Sequence, residues 1–184
     1  IGTDPPIWRR IQVPEYCTFY DLHVAIQGAM GWLDYHLHDF RIQPRRRACM
    51  NIRIESPFAL EDIEEEIPLL TTEVAVTDFL TEEGDRAIYT YDYGDGWEHD
   101  VVFEGSFPKE PGRKYPVCLA GELAGPPEDC GGIPGYYDWI KALKSRDNSE
   151  GILTWLGRWR PDRFDAAKIK FWSPLRRLNI ALND

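Results

Sequence analysis

The sequence has no hydrophobic run long enough to cross a membrane and no secretory signal pattern, so we expect no membrane partner. Cysteine is scarce, and its four positions contain no Cys-x-x-Cys pair. This spacing argues against a zinc ribbon and a thioredoxin-like redox centre. We therefore expect a cytoplasmic protein with reduced, partly buried thiols at Cys17, Cys49, Cys118 and Cys130, with a Cys118–Cys130 disulfide as the alternative.

Positive charge is in short supply as well. The chain has 21 Lys and Arg residues against 31 Asp and Glu residues, which gives a formal net charge of −10 and a pI of about 4.9. Phosphate backbones repel such a chain, so we do not expect autonomous nucleic-acid binding. Arg41 and the run 45–47 form a local basic cluster, for which a solvated loop is favoured over a phosphate site. We interpret the acidic run 61–66 as an exposed loop or a helix start.

Apolar and aromatic residues, in contrast, are abundant. They include seven Trp, nine Tyr and eight Phe, and hydrophobic residues make up 43% of the chain. This composition is typical of a folded globular protein, and 184 residues suit one domain. We expect a single domain over 1–184 whose part 134–184 is mainly helical. The chain begins at Ile1 rather than Met, and we expect residues to precede it in the full protein.

Strands in the first part of the chain and helices at its end predict an α+β fold. Thr18 and Asp21 form a capping box, apolar residues follow at helical spacing, and Gly31 ends this helix. Strands are predicted at 7–13, 36–42 and 115–119, and further helices at 76–80, 136–144, 150–156 and from 165 onward with a restart at Pro174. We expect a small mixed or antiparallel sheet that packs the helix 21–30, in an element order that suits a ubiquitin-like opening.

The most informative stretch is 89–103, which is predicted to form a β-hairpin. Aromatic and apolar residues alternate along both strands, and Gly94-Asp95-Gly96 suits the turn between them. A three-residue loop keeps the rings on one face of the hairpin. It predicts three cross-strand pairs, namely Tyr93–Trp97, Tyr91–His99 and Tyr89–Val101.

The same register crowds negative charge on the other face of the hairpin. It predicts that Asp92 lies across from Glu98, and Thr90 across from Asp100. Like charges in such positions are unfavourable, and solvent, a nearby Arg or Lys, a raised pKa or a bound cation would relieve the repulsion. We favour carboxylates that extend into water, with Asp95 as a turn former.

Three histidines lie in or near this region. His99 lies among aromatic residues, so a hydrogen-bonded core histidine is favoured over a metal ligand. His36 and His38 project to the same face of their predicted strand. That spacing would serve a metal, but it is more common in surface or packing residues.

Five motifs occur along the chain in a specific order. They are Pro-Pro-Ile-Trp-Arg-Arg at 5–10, the helix and its end at 22–32, His-Leu-His-Asp-Phe at 36–40, the hairpin tip 91–99, and Pro-Pro-Glu-Asp-Cys-Gly-Gly at 126–132. Together they resemble the plasmid open-reading-frame-three-like family, over the chain from about residue 5 to the last helix. Members often carry a Cys where this chain has Gly125, so the resemblance implies no thiol-dependent metal site here.

The resemblance also implies a label, because some members are called TnpR-type resolvases. A serine recombinase needs a nucleophilic Ser among Arg residues and a basic DNA-binding module. No candidate has such a setting, and the candidates are Ser56, Ser106, Ser145, Ser149 and Ser173. An accessory role in plasmid or transposon DNA transactions is therefore ranked last of three functional hypotheses.

The first hypothesis is a non-catalytic binding or adaptor domain with a protein partner. It uses the hairpin tip 91–99 and the loop 125–132, because loops are common contact elements. The candidate binding residues are Tyr91, Asp92, Asp95, Trp97, Glu98, His99, Glu128 and Asp129.

The second hypothesis is a hydrolase or phosphotransfer enzyme that depends on a divalent metal. Hairpin carboxylates would supply oxygen ligands, and a histidine would act as a ligand or a base. The candidate metal ligands are His36, His99, Asp92 and Glu98, and the sequence identifies no catalytic residue.

Overall fold

The computed structural model describes residues 1–45, 52–59, 68–146 and 151–183. Its strands are β1 (Trp8–Gln12), β2 (His38–Gln43), β3 (Ile52–Glu55), β4 (Leu69–Leu70), β5 (Arg86–Tyr91), β6 (Trp97–Val102) and β7 (Val117–Glu122). Its helices are α1 (Phe19–Met30), α2 (Gly132–Ser145), α3 (Ile152–Leu156) and α4 (Pro174–Ala181). This mixture confirms the predicted α+β class. None of the helices in these residues is long and apolar enough to cross a membrane.

The strands form two sheets. The larger sheet has the order β4-β3-β2-β5-β6, and its neighbours are antiparallel except for the parallel pair β3 and β4. The smaller sheet joins β1 to β7 in antiparallel fashion. The expected order of strand, helix and strand is present, but β1 pairs with β7 and not with β2.

The central helix α1 begins and ends as its sequence predicts. The Thr18 side chain accepts a hydrogen bond from the Asp21 backbone N–H, and the Asp21 carboxylate accepts one from the Thr18 N–H. Gly31 ends the helix in the left-handed conformation. These two caps satisfy backbone groups that a helix terminus otherwise leaves unpaired.

Nearly all of α1 is buried, because other parts of the protein pack against it on two sides. All of its residues except Asp21 are buried. One side packs on the larger sheet, where the Phe19 and Phe40 rings meet at 4.9 Å. On another side the Arg9 side chain donates a hydrogen bond of 2.9 Å to the Ala29 carbonyl. The core between α1 and the larger sheet contains Phe40, Ile42, Ile54, Ala87, Tyr89, Tyr91 and Trp97.

Several other expectations have clear outcomes. The predicted helix at 76–80 is a single 3₁₀ turn at Val76–Asp78, and Asp165 caps a second 3₁₀ turn at Ala166–Lys168. The helix α4 starts at Pro174, as predicted for a restart there. The thiols of Cys17, Cys118 and Cys130 are free and buried, so the alternative Cys118–Cys130 disulfide is absent. Cys49, the run 46–47 and the acidic run 61–66 lie outside the described residues.

Candidate functional site

The hairpin is present, but its register differs from the predicted one by two residues. Tyr91 pairs with Trp97, and Tyr89 pairs with His99. The connecting loop therefore has five residues, 92–96, instead of three. A shift of two residues keeps the rings within the two strands on the predicted face, because side chains alternate with a period of two. The face assignment is thus confirmed for the residues of the two strands, whereas the individual pairs are wrong. It is also wrong for Tyr93, because the chain turns at Asp92 and the Tyr93 hydroxyl contacts Asp39 and Arg53 on the opposite face of the sheet.

Asp92 lies in the loop and not in the strand. Its backbone has a φ of +56°, and its N–H donates to the Leu37 carbonyl at 3.0 Å. Its Oδ1 accepts hydrogen bonds from the N–H groups of Gly94 and Asp95, at 3.0 and 3.2 Å. The residue opposite Glu98 is Thr90, so the predicted repulsion between Asp92 and Glu98 is wrong.

Glu98 and Asp100 lie on the outer face of the larger sheet, where arginines neutralise them. Glu98 pairs with Arg41 of β2, and Asp100 pairs with Arg86 of β5. Of the four ways in which repulsion between these carboxylates could be relieved, the structure shows pairing with nearby arginines. This placement separates Glu98 from the other candidate metal ligands.

His99 is a core histidine, as favoured. Its ring lies edge-on to Trp32 at 5.3 Å and tilted to Tyr89 at 5.7 Å. Part of the residue reaches the surface, but Nδ1 is buried and has no hydrogen-bond partner among the described residues. Burial lowers the pKa of His99 to about 3. A neutral ring in this position belongs to the core and is not brought near the other candidate ligands.

His38 also faces inward, into a polar network that the sequence analysis missed. Its ring stacks on His23 of α1, with centroids 3.5 Å apart and planes 9° apart. Burial and the neighbouring His23 lower the pKa of His38 well below its ordinary value. His23 Nδ1 is hydrogen-bonded to the Tyr89 hydroxyl, and Nε2 to the Asp34 carboxylate, both at 2.8 Å. Polar residues at core-facing spacing in a helix, as at positions 20, 23 and 27, are the signal that indicates such a network.

Asp34 links this network to the last helix. Arg177 of α4 lies 3.1 Å from the Asp34 carboxylate and also donates to the Leu33 carbonyl at 2.6 Å. Burial alone would raise the pKa of Asp34, but the hydrogen bond to His23 and the charges of His23 and Arg177 outweigh it and lower that pKa. The segment between α1 and β2 is therefore held from both the core and the C-terminal helix.

His36 brings together two of the other candidate residues. Its Nε2 lies 2.7 Å from Asp129 Oδ1 and 3.5 Å from Asp92 Oδ2. We call His36, Asp92 and Asp129 the three-segment cluster, because they come from the residues before β2, the hairpin loop and the loop before α2. The Asp92 side chain is only 9% exposed, whereas those of His36 and Asp129 are 31% and 54% exposed.

Glu128 and Asp95 attach the loop 125–132 to the hairpin. The Tyr91 hydroxyl donates to the Glu128 carboxylate at 3.1 Å, and the Leu33 N–H donates to it at 2.6 Å. Asp95 Oδ2 accepts a hydrogen bond of 3.1 Å from the Gly131 N–H. Burial raises the pKa of Glu128. The two loops that the sequence analysis named separately thus form one assembled surface.

Gly125 explains how closely this loop approaches α1. A Cβ at this position would lie 2.0 Å from the carbonyl oxygen of Met30 and 2.9 Å from its carbonyl carbon. The Trp32 indole also donates to the Pro126 carbonyl at 2.8 Å. Members of the family that the chain resembles often have Cys at this position, but packing in this chain requires the glycine.

Two of the candidate binding residues are not available to a partner. Tyr91 is fully buried and Trp97 is 5% exposed, and both belong to the core. Exposed aromatic and apolar residues that were not among the binding candidates adjoin the cluster in the sequence instead. Tyr35 and Leu37 flank His36 and are 68% and 36% exposed, and Tyr93 follows Asp92 and is 44% exposed.

The basic cluster is neutralised where the structure describes it. Arg41 pairs with Glu98, and Arg45 lies 2.7 Å from Glu82 and 2.6 Å from Asp85. These contacts occupy the charges that a phosphate would use. Arg41 lies in strand β2 and not in the loop that was favoured for the cluster.

Two surface grooves lie on the C-terminal helices. One runs along α4, and the other is lined by residues of α2, α3 and the segment that follows α3. Neither groove is lined by a residue of the three-segment cluster.

Comparison with known proteins identifies the family. The chain matches the family described as plasmid pRiA4b ORF-3-like protein over residues 1–168. An uncharacterized protein, y4hQ, from Sinorhizobium fredii is 31% identical over 185 residues, covering 98% of this chain and 86% of that protein. The crystal structure of a protein of unknown function, MM3350, from Methanosarcina mazei Go1 is similar with a TM-score of 0.78 and 39% identity, covering 92% of this chain and 93% of that one. The chain therefore belongs to the plasmid pRiA4b ORF-3-like family.

Proposed function

We propose that this protein is a non-catalytic binding module that recognises a protein segment with apolar and basic side chains. Its recognition surface consists of the hairpin loop 92–96, the loop 126–132 and the residues 33–37. The observation that carries the proposal is the attachment of the hairpin to the second loop through Asp95–Gly131 and Tyr91–Glu128. These bonds fix the surface before any partner arrives, which lowers the entropy that binding must overcome.

The chemistry of the surface supports this kind of partner. Tyr35 and Tyr93 offer exposed aromatic area, and aromatic residues are enriched at protein interfaces. The carboxylates of Asp92, Glu128 and Asp129 give the surface a negative charge. A partner with Lys or Arg beside apolar side chains complements both features.

Among the described residues, two of the buried thiols are poor nucleophiles. Burial raises the pKa of Cys17 and of Cys130 to about 12, so both thiols stay protonated at neutral pH. Tyr91 and Glu128 are engaged with each other, and Asp95 holds the backbone of the second loop. These polar groups of the surface thus hold the two loops together, which favours a binding role over a catalytic one.

A selection from a phage-displayed random peptide library tests the proposal. The protein is immobilised in buffer with EDTA, and the affinity of each enriched peptide is measured by calorimetry. We expect apolar and basic peptides whose affinity falls at least tenfold with Tyr35→Ala. Phe107→Ala is the matched control, because Phe107 is also 68% exposed but lies outside the surface.

Three outcomes would contradict the proposal. One is a failure to enrich any peptide, and another is enrichment of acidic peptides alone. The third is an affinity that falls with Phe107→Ala and not with Tyr35→Ala, because that result would move the surface elsewhere. Circular dichroism of each variant shows whether its fold is retained.

A further inference from the structure

We propose that the three-segment cluster binds one divalent transition-metal cation through His36 Nε2, Asp92 Oδ2 and Asp129 Oδ1. The inference rests on the proposed function in one respect, since the cation would lie within the recognition surface and join its three segments. It requires no catalysis and no partner, and a direct metal titration tests it.

The distances within the cluster suit a small cation. The three ligand atoms lie within 4.8 Å of one another, and two of the separations are 2.7 and 3.5 Å. A metal about 2.1 Å from each ligand places neighbouring ligands roughly 3.0 to 3.4 Å apart in octahedral or tetrahedral geometry. The two measured separations lie on either side of this range. Side-chain adjustments of a few tenths of an ångström would convert the His36–Asp129 contact into shared coordination.

Asp92 is held in the orientation that a ligand requires. Hydrogen bonds from Gly94 and Asp95 occupy its Oδ1, and they direct Oδ2 towards His36. The distance of 3.5 Å from Oδ2 to His36 Nε2 is at the long limit for a hydrogen bond. A carboxylate that is only 9% exposed benefits from a stronger cationic partner than a contact of that length provides.

The surrounding charge also attracts a cation. Glu128 and Asp95 add carboxylates beside the cluster, against the single imidazole of His36. His36 is partly exposed, so solvent can deliver a metal to Nε2. One imidazole with two carboxylates favours Mn²⁺, Co²⁺ or Zn²⁺ over Mg²⁺ or Ca²⁺, which prefer oxygen ligands alone.

A second group of potential ligands, His23, Asp34 and His38, fits a metal less well. Both ring nitrogens of His23 have hydrogen bonds, one with Tyr89 and one with Asp34. Arg177 already neutralises Asp34. A cation would have to displace these contacts in the core, whereas His36 and Asp129 of the three-segment cluster reach solvent. The buried group is therefore assigned to the core and not to a metal.

Cobalt titration of the metal-free protein tests the site. Calorimetry gives the affinity and stoichiometry, and proton NMR detects paramagnetic shifts of the His36 ring. We expect one Co²⁺ per chain, a shifted His36 ring, and an affinity that falls at least tenfold with His36→Asn, Asp129→Asn or Asp92→Asn. The Asp92 variant keeps an oxygen for Gly94 and Asp95, so the loop is expected to fold.

Glu98→Gln is the matched control, because it removes a carboxylate from the same hairpin on the opposite face. Its affinity for Co²⁺ should stay within twofold of the original. The proposal is overturned if Co²⁺ does not saturate a single site, if the His36 ring is unshifted, or if the control loses as much affinity as the cluster variants. Peptide binding is measured in EDTA, without any metal. A failed cobalt titration therefore leaves the proposed binding function untouched, and a failed peptide selection leaves the metal site untouched.

Discussion

Replacement of His99 by Phe should make the protein less sensitive to acid. The pKa of His99 is lowered by burial from an ordinary 6.5 to about 3 in the folded protein. Between these two pH values the unfolded chain binds a proton at His99 that the folded chain does not bind. Acidification therefore favours unfolding, and the stability that the neutral ring provides is complete above pH 6.5 and is lost as the pH falls towards 3.

The size of this effect follows from the pKa difference. Each pH unit within the window changes the free energy of unfolding by up to about 1.4 kcal/mol for one group. Over the whole window His99 contributes up to roughly 5 kcal/mol of acid sensitivity. Phe keeps an aromatic ring beside Trp32 and Tyr89, and it removes the buried Nδ1 that lacks a partner. We therefore expect the variant to be within about 1.5 kcal/mol of the original protein at pH 7.5.

Urea denaturation at half-unit steps from pH 7.5 to pH 4.5 measures the effect. The quantity to compare is the difference in the free energy of unfolding between His99→Phe and the original protein at each pH. We expect this difference to grow in favour of the variant by about 1 kcal/mol per pH unit below pH 6.5. Because other groups titrate equally in both proteins, their contributions cancel in the difference. A difference that does not change with pH would refute the burial argument for His99.

Two further substitutions test the packing around the site, each by urea denaturation at pH 7.5. Gly125→Ala places a Cβ 2.0 Å from the Met30 carbonyl oxygen, so we expect a loss of about 3 kcal/mol. An unchanged stability would show that the loop can move away from α1 freely. Tyr89→Phe removes a buried hydroxyl that is hydrogen-bonded to His23, so we expect a loss of roughly 2 kcal/mol. Tyr16→Phe is its control, because Tyr16 is 85% exposed, and equal losses in both would contradict the role of the Tyr89 hydroxyl.

The sequence predicted features that depend on neighbouring residues. The cap of α1 at Thr18 and its end at Gly31 were predicted correctly, because each depends on contacts within one turn of helix. The face of each residue within the two hairpin strands was also correct, because alternation is a property of a single strand. The faces predicted for Asp92 and Tyr93 were wrong, because both residues lie in the loop beyond the strand. The register was wrong because Asp92 adopts a positive φ and binds its own loop, and Gly-Asp-Gly alone does not reveal this.

Features that depend on distant contacts could not be predicted from the sequence. The partner of β1 is β7, more than a hundred residues later, and nothing in either strand specifies that pairing. The proximity of His36 to Asp129 depends on the same kind of contact. Gly125 is a third example, because only the packed structure shows the carbonyl of Met30 where a side chain would be. The sequence motifs contain these residues, but they do not indicate which of the residues are in contact in the folded protein.

The segment 33–37 has no regular secondary structure, and yet its backbone is anchored to several elements. Its contacts join the Leu33 N–H to Glu128, the Leu33 carbonyl to Arg177, the Asp34 N–H to Gln27, the Tyr35 N–H to Tyr91 and the Leu37 carbonyl to Asp92. A loop held in this way presents His36 and Tyr35 in one conformation, as a recognition surface or a metal site requires. This short segment joins the buried network around His23 to the three-segment cluster at the surface. Asp34 contacts His23 on the inside, and His36 contacts Asp129 on the outside. It follows that substitutions in the buried network, such as Tyr89→Phe, should also weaken binding at the surface even though Tyr89 itself is fully buried.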